Sequence, residues 1–244
     1  MTTSDRLEGK RALVTGVTSG IGAATVRALL ARGMQVVGLG RDRERLTQAA
    51  REFGLHFTPI LADLAAPGDR ARACAELSGQ PLQLLVNNAA ECVFESLEQL
   101  SPATLSRLFE VNVSAVLELV QALAPGMHAG SQIVNVSSVV ARFLPTSKFA
   151  AYAATKTALD CLSQALRLEL HPRGVHVSTI APGLVDTPIY DKVEGFERAR
   201  QKLREQVPTW LSADDVAEAI VWIASRPAHL VVSELVILPS AQAR

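Results

Sequence analysis

The stretch RALVTGVTSGIGAATVRALLARG (residues 11–33) decides the fold. A short apolar run, RALVTG (11–16), ends in glycine. A helical period follows over IGAATVRALLARG (21–33), closed by Gly33. The turn between them, TGVTSGIG (15–22), spaces three glycines. Gly16 permits a tight turn, Gly20 lets the backbone approach a bound group, and Gly22 lets the helix pack close to the strand. Thr18, Ser19 and Ile21 complete the turn. The start of a helix offers free N–H groups and a positive dipole end, which suits a pyrophosphate. A glycine-spaced turn alone also serves as a plain strand-to-helix connection, so its place as the first such turn in the chain carries the functional reading.

Outward from this unit the same alternation repeats. MQVVGLG (34–40), FTPILADL (57–64), LQLLVNNAA (82–90), SQIVNVSS (131–138), VHVSTIAPG (175–183) and ELVILP (234–239) read as further strands. RERLTQAAREFG (43–54), SPATLSRLFEVNVSAVLELVQALAPGM (101–127), AYAATKTALDCLSQALRLEL (151–170) and DDVAEAIVWIAS (214–225) read as helices. Apolar strands separated by helices imply parallel pairing with both faces covered. The expected fold is α/β: a doubly wound parallel sheet of about seven strands with helices on both faces, in a single domain over 1–244. The irregular stretch 184–212, which holds Tyr190, Phe196 and Trp210, is expected to form a lid over a site or to be disordered.

The bulk numbers restrict the function. The chain has 244 residues, 48% hydrophobic and 20% charged, enough for a substantial core. Lys plus Arg and Asp plus Glu are equal at 24 each, so no charge argument favours a nucleic-acid or anionic-membrane partner. MTTSDRLEGK (1–10) has no apolar segment of the secretory kind, and no apolar run reaches the ~18 residues of a membrane span. Three scattered cysteines, Cys74, Cys92 and Cys161, match no metal or disulfide pattern. A cytoplasmic protein is expected.

Two regions carry chemistry. The second strand ends in Gly40, followed by Arg41 and Asp42. An acidic residue at that strand end would bind the adenosine ribose of NAD(H), whereas an arginine suits a 2′-phosphate. The expectation is NADP(H) in preference to NAD(H), with Asp42 able to blunt the effect. Asp63 ends the third strand, where it is suited either to the adenine amino group or to capping a helix. Tyr152 and Lys156 share one helix face at one-turn spacing. A nearby ammonium lowers a phenol's pKa, so the pair suits general acid–base work. Ser138 closes the fifth strand, at the sheet edge where ligands bind in open α/β folds.

Taken together these motifs resemble the short-chain dehydrogenase/reductase family, with its Rossmann-like sheet. TGVTSGIG stands for the family's TGxxxGxG, NNAA (87–90) for NNAG, YAATK (152–156) for YxxxK, and APGLVDT (181–187) for the PG-loop. The resemblance implies an NADP(H)-dependent oxidoreductase interconverting a small ketone and its secondary alcohol. Tyr152 would exchange the proton, Lys156 would lower its pKa and hold the nicotinamide ribose, and Ser138 would orient the substrate oxygen. Asn112 would position a water linking Lys156 to solvent. Asn88 would sit against the cofactor ribose, and Asp63 and Leu64 would also bind the cofactor. Pro182, Gly183, Val185 and Thr187 would hold the carboxamide and pyrophosphate side. An NAD(H)-dependent 3-hydroxy acid or sugar dehydrogenase and a non-catalytic cofactor-binding regulator are the alternatives. Arg142 and Lys148 are candidate carboxylate anchors for the first, with Lys192 and Arg198 behind them. The resemblance also implies a homodimer or homotetramer.

The sequence departs from the family in three places. Ala90 replaces a glycine. The Ser138–Tyr152 gap is one residue longer than usual, which predicts a bulged loop or a displaced serine hydroxyl. The C-terminal RPAHLVVSELVILPSAQ (226–242) lacks a Gly-Gly ending and resembles the tail of the serine and 3-hydroxy acid dehydrogenase branch.

Overall fold

Seven parallel strands pair in the order β3-β2-β1-β4-β5-β6-β7 in the computed structural model, which describes residues 6–242 apart from 97 and 145. The strands are β1 (Arg11–Thr15), β2 (Gln35–Gly40), β3 (Phe57–Leu61), β4 (Leu84–Asn87), β5 (Gln132–Val136), β6 (His176–Pro182) and β7 (Glu234–Ile237). The order runs outward from β1 in both directions, so the winding reverses between β1 and β4. That reversal opens a crevice at the C-terminal edge of the strands, where ligands bind in such sheets. The central strands β4, β5 and β6 are buried along their whole length, because helices cover both faces.

Two apolar layers sandwich the sheet. One holds Leu13, Leu85 and Ile133 against Leu119, Leu123, Leu159 and Leu166. The other holds Val14, Val86, Val134 and Ile180 against Val26, Leu29, Val216 and Ile220. The helices are α1 (Gly20–Leu30), α2 (Arg43–Phe53), α3 (Pro67–Leu77), α4 (Pro102–Phe109), α5 (Ala115–Leu123), α6 (Ala150–Leu170), α7 (Glu197–Gln206) and α8 (Ala213–Ala224). Asp42 caps α2 by accepting from the Arg45 N–H at 3.0 Å. Ser212 and Asp215 form a reciprocal capping box on α8.

Four differences from the sequence expectation bear on function. Several expected strands stop early: residues 62–64 and 88–90 leave the sheet as loops, and these loops line the crevice. Helix α3 was not anticipated. It is held by Arg70, which is buried and paired with Glu110 at 2.8 Å and Glu118 at 2.7 Å. The expected single helix 101–127 is interrupted by a π-helical turn over Glu110–Ser114, a widening frequent at functional sites. The stretch 184–212 is ordered, with α7 inside it; α7 fully buries none of its residues and packs only Ala199 and Leu203 against the aromatic cluster, a weak signal in sequence.

The helical stretch Pro102–Gly126 is long and apolar enough to cross a membrane, with mean hydropathy 1.3, contrary to the expectation that no run would qualify. Here Ala115, Val116, Leu119 and Leu123 lie in the core against the sheet.

Candidate active site

A crevice of about 430 Å³ runs along the C-terminal edge of the sheet. It collects the β1–α1 turn, the loops after β2, β3, β4 and β5, the start of α6, and residues 182–190 after β6. With Val111 of the π turn, the site comes from eight separate places in the sequence, brought together by the parallel topology.

Backbone forms its first end. Gly16 and Gly20 have φ of 72° and 53°, in the left-handed region where a side chain is strained. Gly22 does not line the crevice; it sits behind the turn, where a Cβ would lie 2.1 Å from the Gly16 carbonyl oxygen and 2.6 Å from Asn88 Nδ2. The first bond of α1 runs from the Ala23 N–H to the Ser19 carbonyl, and the Ser19 side chain makes no capping bond. The Gly16 and Val17 N–H groups are bonded to the Leu39 carbonyl, so those of Thr18 to Ile21 remain for a bound anion. Asn88 braces the turn, donating to the Thr15 carbonyl at 2.9 Å, while its own N–H bonds Thr15 Oγ1 at 3.0 Å. A dinucleotide fits this donor-rich cradle, which Thr18, Ser19 and Ile21 also line.

The adenosine side is edged by Gly40, Arg41, Asp63 and Leu64, all lining the crevice. Asp42 is occupied at the α2 cap and does not line it. Asp63 is not the cap of α3; Ala66 holds that position. Its carboxylate instead accepts from the Ala65 N–H at 2.9 Å, which braces the loop. Arg41 is ion-paired with Glu91, a crevice residue that sequence reasoning passed over.

At the opposite end, Ser138, Tyr152 and Lys156 line one wall. Ser138 Oγ accepts from the Val140 N–H at 3.3 Å. The longer segment between Ser138 and Tyr152 carries 3-10 turns over Val139–Ala141 and Ser147–Phe149. Lys156 is buried; its Nζ donates to the Val136 carbonyl at 2.8 Å and lies 5.7 Å from the Tyr152 ring centre.

The electrostatics correct one expectation. Burial, with Cys92 and Tyr190 close by, pushes the Tyr152 phenol well above its ordinary value, and Ser138 offsets only part of this. Lys156 was expected to bring that value down. Burial instead lowers Lys156 itself to about 8, with Asp160 opposing the drop.

Asn112 also differs from expectation. It is buried in the π turn and does not line the crevice. Its Nδ2 donates to the Glu91 carbonyl and to Thr155 Oγ1, both at 2.9 Å, and its Oδ1 accepts from the Glu91 N–H at 2.9 Å. Both side-chain donors are spent, so Asn112 clamps the loop after β4 to α6, and its amide hydrogens are not available to a relay water.

Beyond β6, Pro182, Gly183, Val185 and Thr187 line the crevice, joined by Pro188, Ile189 and Tyr190. Gln242 was not anticipated in this region. Its Oε1 accepts from the Leu184 N–H at 2.9 Å, and a Cβ on Gly183 would meet it at 2.4 Å. An aromatic group then covers Tyr152: Phe94, Phe149 and Phe196 stand edge to face, with ring centres 5.1 to 5.5 Å apart, and Tyr190 stacks on Phe196 at 5.0 Å. Cys92 lines the crevice, and its thiol is pushed up to about 12 by burial, so it acts as a small apolar group.

The expected carboxylate anchors lie elsewhere. Arg142 pairs with Asp160 at 3.4 Å and with Glu234; Lys148 sits 5.1 Å over the Phe94 ring. Arg198 is exposed, and the side chain of Lys192 lies outside the described part of the structure. Among the described residues, Arg41 and Lys156 are the only cations lining the crevice.

Residues 10–197 match the short chain dehydrogenase family. The chain belongs to that family. It is an oxidoreductase. Serine 3-dehydrogenase of Agrobacterium fabrum is 33% identical over 94% of this chain and 94% of its own. Mouse L-xylulose reductase is 34% identical over 90% of each. Among solved structures, a short chain dehydrogenase from Burkholderia cenocepacia in complex with NADP has a TM-score of 0.87 at 33% identity, covering 98% of this chain and 100% of that one. The closed form of serine dehydrogenase complexed with NADP+ also reaches 0.87, at 27% identity and 96% coverage of both chains.

Proposed function

We propose that this short-chain dehydrogenase interconverts a small, uncharged carbonyl compound and its secondary alcohol, using NADP(H). The observation that carries the reading is the convergence of Ser138, Tyr152 and Lys156 with the glycine-rich turn and Arg41 on a single crevice. Bound nicotinamide would supply or accept the hydride. The glycine turn and the start of α1 would hold the pyrophosphate, and Arg41 the 2′-phosphate.

The upward-shifted phenol of Tyr152 keeps its proton at rest and is poised to donate it to a carbonyl oxygen held by Ser138. Lys156, anchored on the Val136 carbonyl, brings a positive charge next to that proton transfer. Asn112 acts as a positioning residue, fixing the loop after β4 against the helix that carries Tyr152 and Lys156. Residues 184–212 serve as the substrate lid; Ile189 and Tyr190 give the chemical end an apolar roof, and Cys92 and Val93 complete its wall. The kinship with NADP-bound neighbours supports the cofactor preference.

Two candidate anchors of the 3-hydroxy acid reading, Arg142 and Lys148, make other partners, and neither lines the crevice. The test is oxidation of NADPH and NADH against a panel of neutral ketones, β-keto acids and sugars. Turnover of neutral ketones with NADPH is expected. Turnover confined to β-keto acids, or to NADH, contradicts the proposal.

A further inference from the structure

We propose that Glu91 sets the strength of cofactor discrimination, by competing with the 2′-phosphate for Arg41. The inference rests on the reading that Arg41 faces that phosphate.

Arg41 follows β2 and Glu91 follows β4, with β1 lying between those strands. Their ion pair therefore bridges the end of β1, at the mouth of the glycine-rich turn. Arg41 is half exposed, and Glu91 is largely covered, its side chain 18% exposed. The backbone of Glu91 is pinned on both its N–H and its carbonyl by Asn112, so the carboxylate is delivered from a fixed point. From α4, Arg107 grips the same carboxylate with two bonds: Nε to Oε2 at 2.9 Å and Nη2 to Oε1 at 2.8 Å. Arg107 Nη2 also lies 3.8 Å from the Asp63 carboxylate.

The adenosine end is thus not an open arginine. It is a closed set of two cations, Arg41 and Arg107, and two anions, Glu91 and Asp63. A 2′-phosphate must draw Arg41 away from Glu91 or share it, and it also meets the carboxylate's own negative charge. A dinucleotide without that phosphate leaves the pair alone. Glu91 consequently weakens NADP(H) more than NAD(H), and Arg107 limits the penalty by keeping the Glu91 charge neutralised.

The test is equilibrium binding of NADPH and NADH to the full-length wild-type, Glu91→Gln, Arg107→Gln and Arg41→Ser proteins. Glutamine keeps the size of the side chain, and the Asn112 clamp uses only main-chain atoms of residue 91. Glu91→Gln is expected to tighten NADPH about fivefold to twentyfold, the scale of one charge-assisted contact, while moving NADH less than about twofold. Arg107→Gln, which leaves Glu91 free to compete, is expected to weaken NADPH severalfold. Weaker or unchanged NADPH binding in Glu91→Gln overturns the competition and makes Glu91 a support for Arg41. A distinct result, unchanged NADPH affinity in Arg41→Ser, overturns the Arg41 reading itself and this inference with it.

Discussion

The two ends of the crevice are built from different materials. The phosphate end is backbone: Gly16, Gly20 and the first turn of α1, with Gly22 packed behind them where no Cβ fits. Its ligand would meet N–H groups fixed by the fold and almost nothing that titrates. The chemical end is made of side chains whose properties come from burial. There, Tyr152 is pushed up and Lys156 down by desolvation, and an aromatic group covers Tyr152. Geometry decides whether the first end works, while protonation decides it for the second. Substitutions at the two ends should therefore fail differently: one by losing the cofactor, the other by changing the pH response.

At the phosphate end the largest effect should come from Gly22→Ala. The added carbon lies 2.1 Å from the Gly16 oxygen, a backbone atom that cannot step aside without moving the turn. We expect NADPH affinity to fall at least about tenfold and stability by about 1–3 kcal/mol, the usual scale of overpacking. Calorimetric titration and thermal melting would check both. Normal NADPH affinity in this variant would break the comparison, because the phosphate end would then not depend on backbone fit.

Lys156 offers a smaller, sharper test. Burial lowers it to about 8 from an ordinary 10.5. Between those values the unfolded chain binds more protons than the folded one, so this residue's contribution to stability rises with pH through the window and is lost as pH falls through 8. Lys156→Met should remove that slope. In melts from pH 7.5 to 9.5, wild type should gain stability relative to the variant as pH increases. In the free enzyme, kcat/KM for ketone reduction should decline above about pH 8 as the ammonium is lost. A stability difference flat with pH would mean that the lysine is not depressed by its surroundings.

The same contrast explains how much was legible in the sequence. A glycine turn is a local requirement, so residues 15–22 announced both the sheet and its phosphate end. Ser138, Tyr152 and Lys156 were readable because the proposed chemistry calls for those residue types on a strand end and a helix face. Interactions across the fold were not readable. Asn112 spends its side chain on Glu91 and Thr155, residues 21 and 43 positions away. Gln242 reaches back 58 positions to Leu184, and Glu91 takes its partners from positions 41 and 107. Helix α3 escaped because its weak amphipathic period is carried partly by a buried arginine, Arg70, whose partners Glu110 and Glu118 arrive from the next helical stretch. The sign of the Tyr152 shift escaped for a related reason. Spacing places a lysine nearby, but only packing shows that burial outweighs it and that the ammonium is bound to Val136.

The central claim is that Tyr152 moves the proton in a reaction whose cofactor is held elsewhere in the crevice. Tyr152→Phe removes one hydroxyl and nothing from the phosphate end. Measured side by side on wild type and this variant, NADPH affinity should stay within about twofold, while kcat for the best ketone falls by about 10²-fold or more, the contribution typical of a positioned general acid. Undiminished turnover in the variant, or loss of turnover only in step with loss of NADPH binding, would contradict the account.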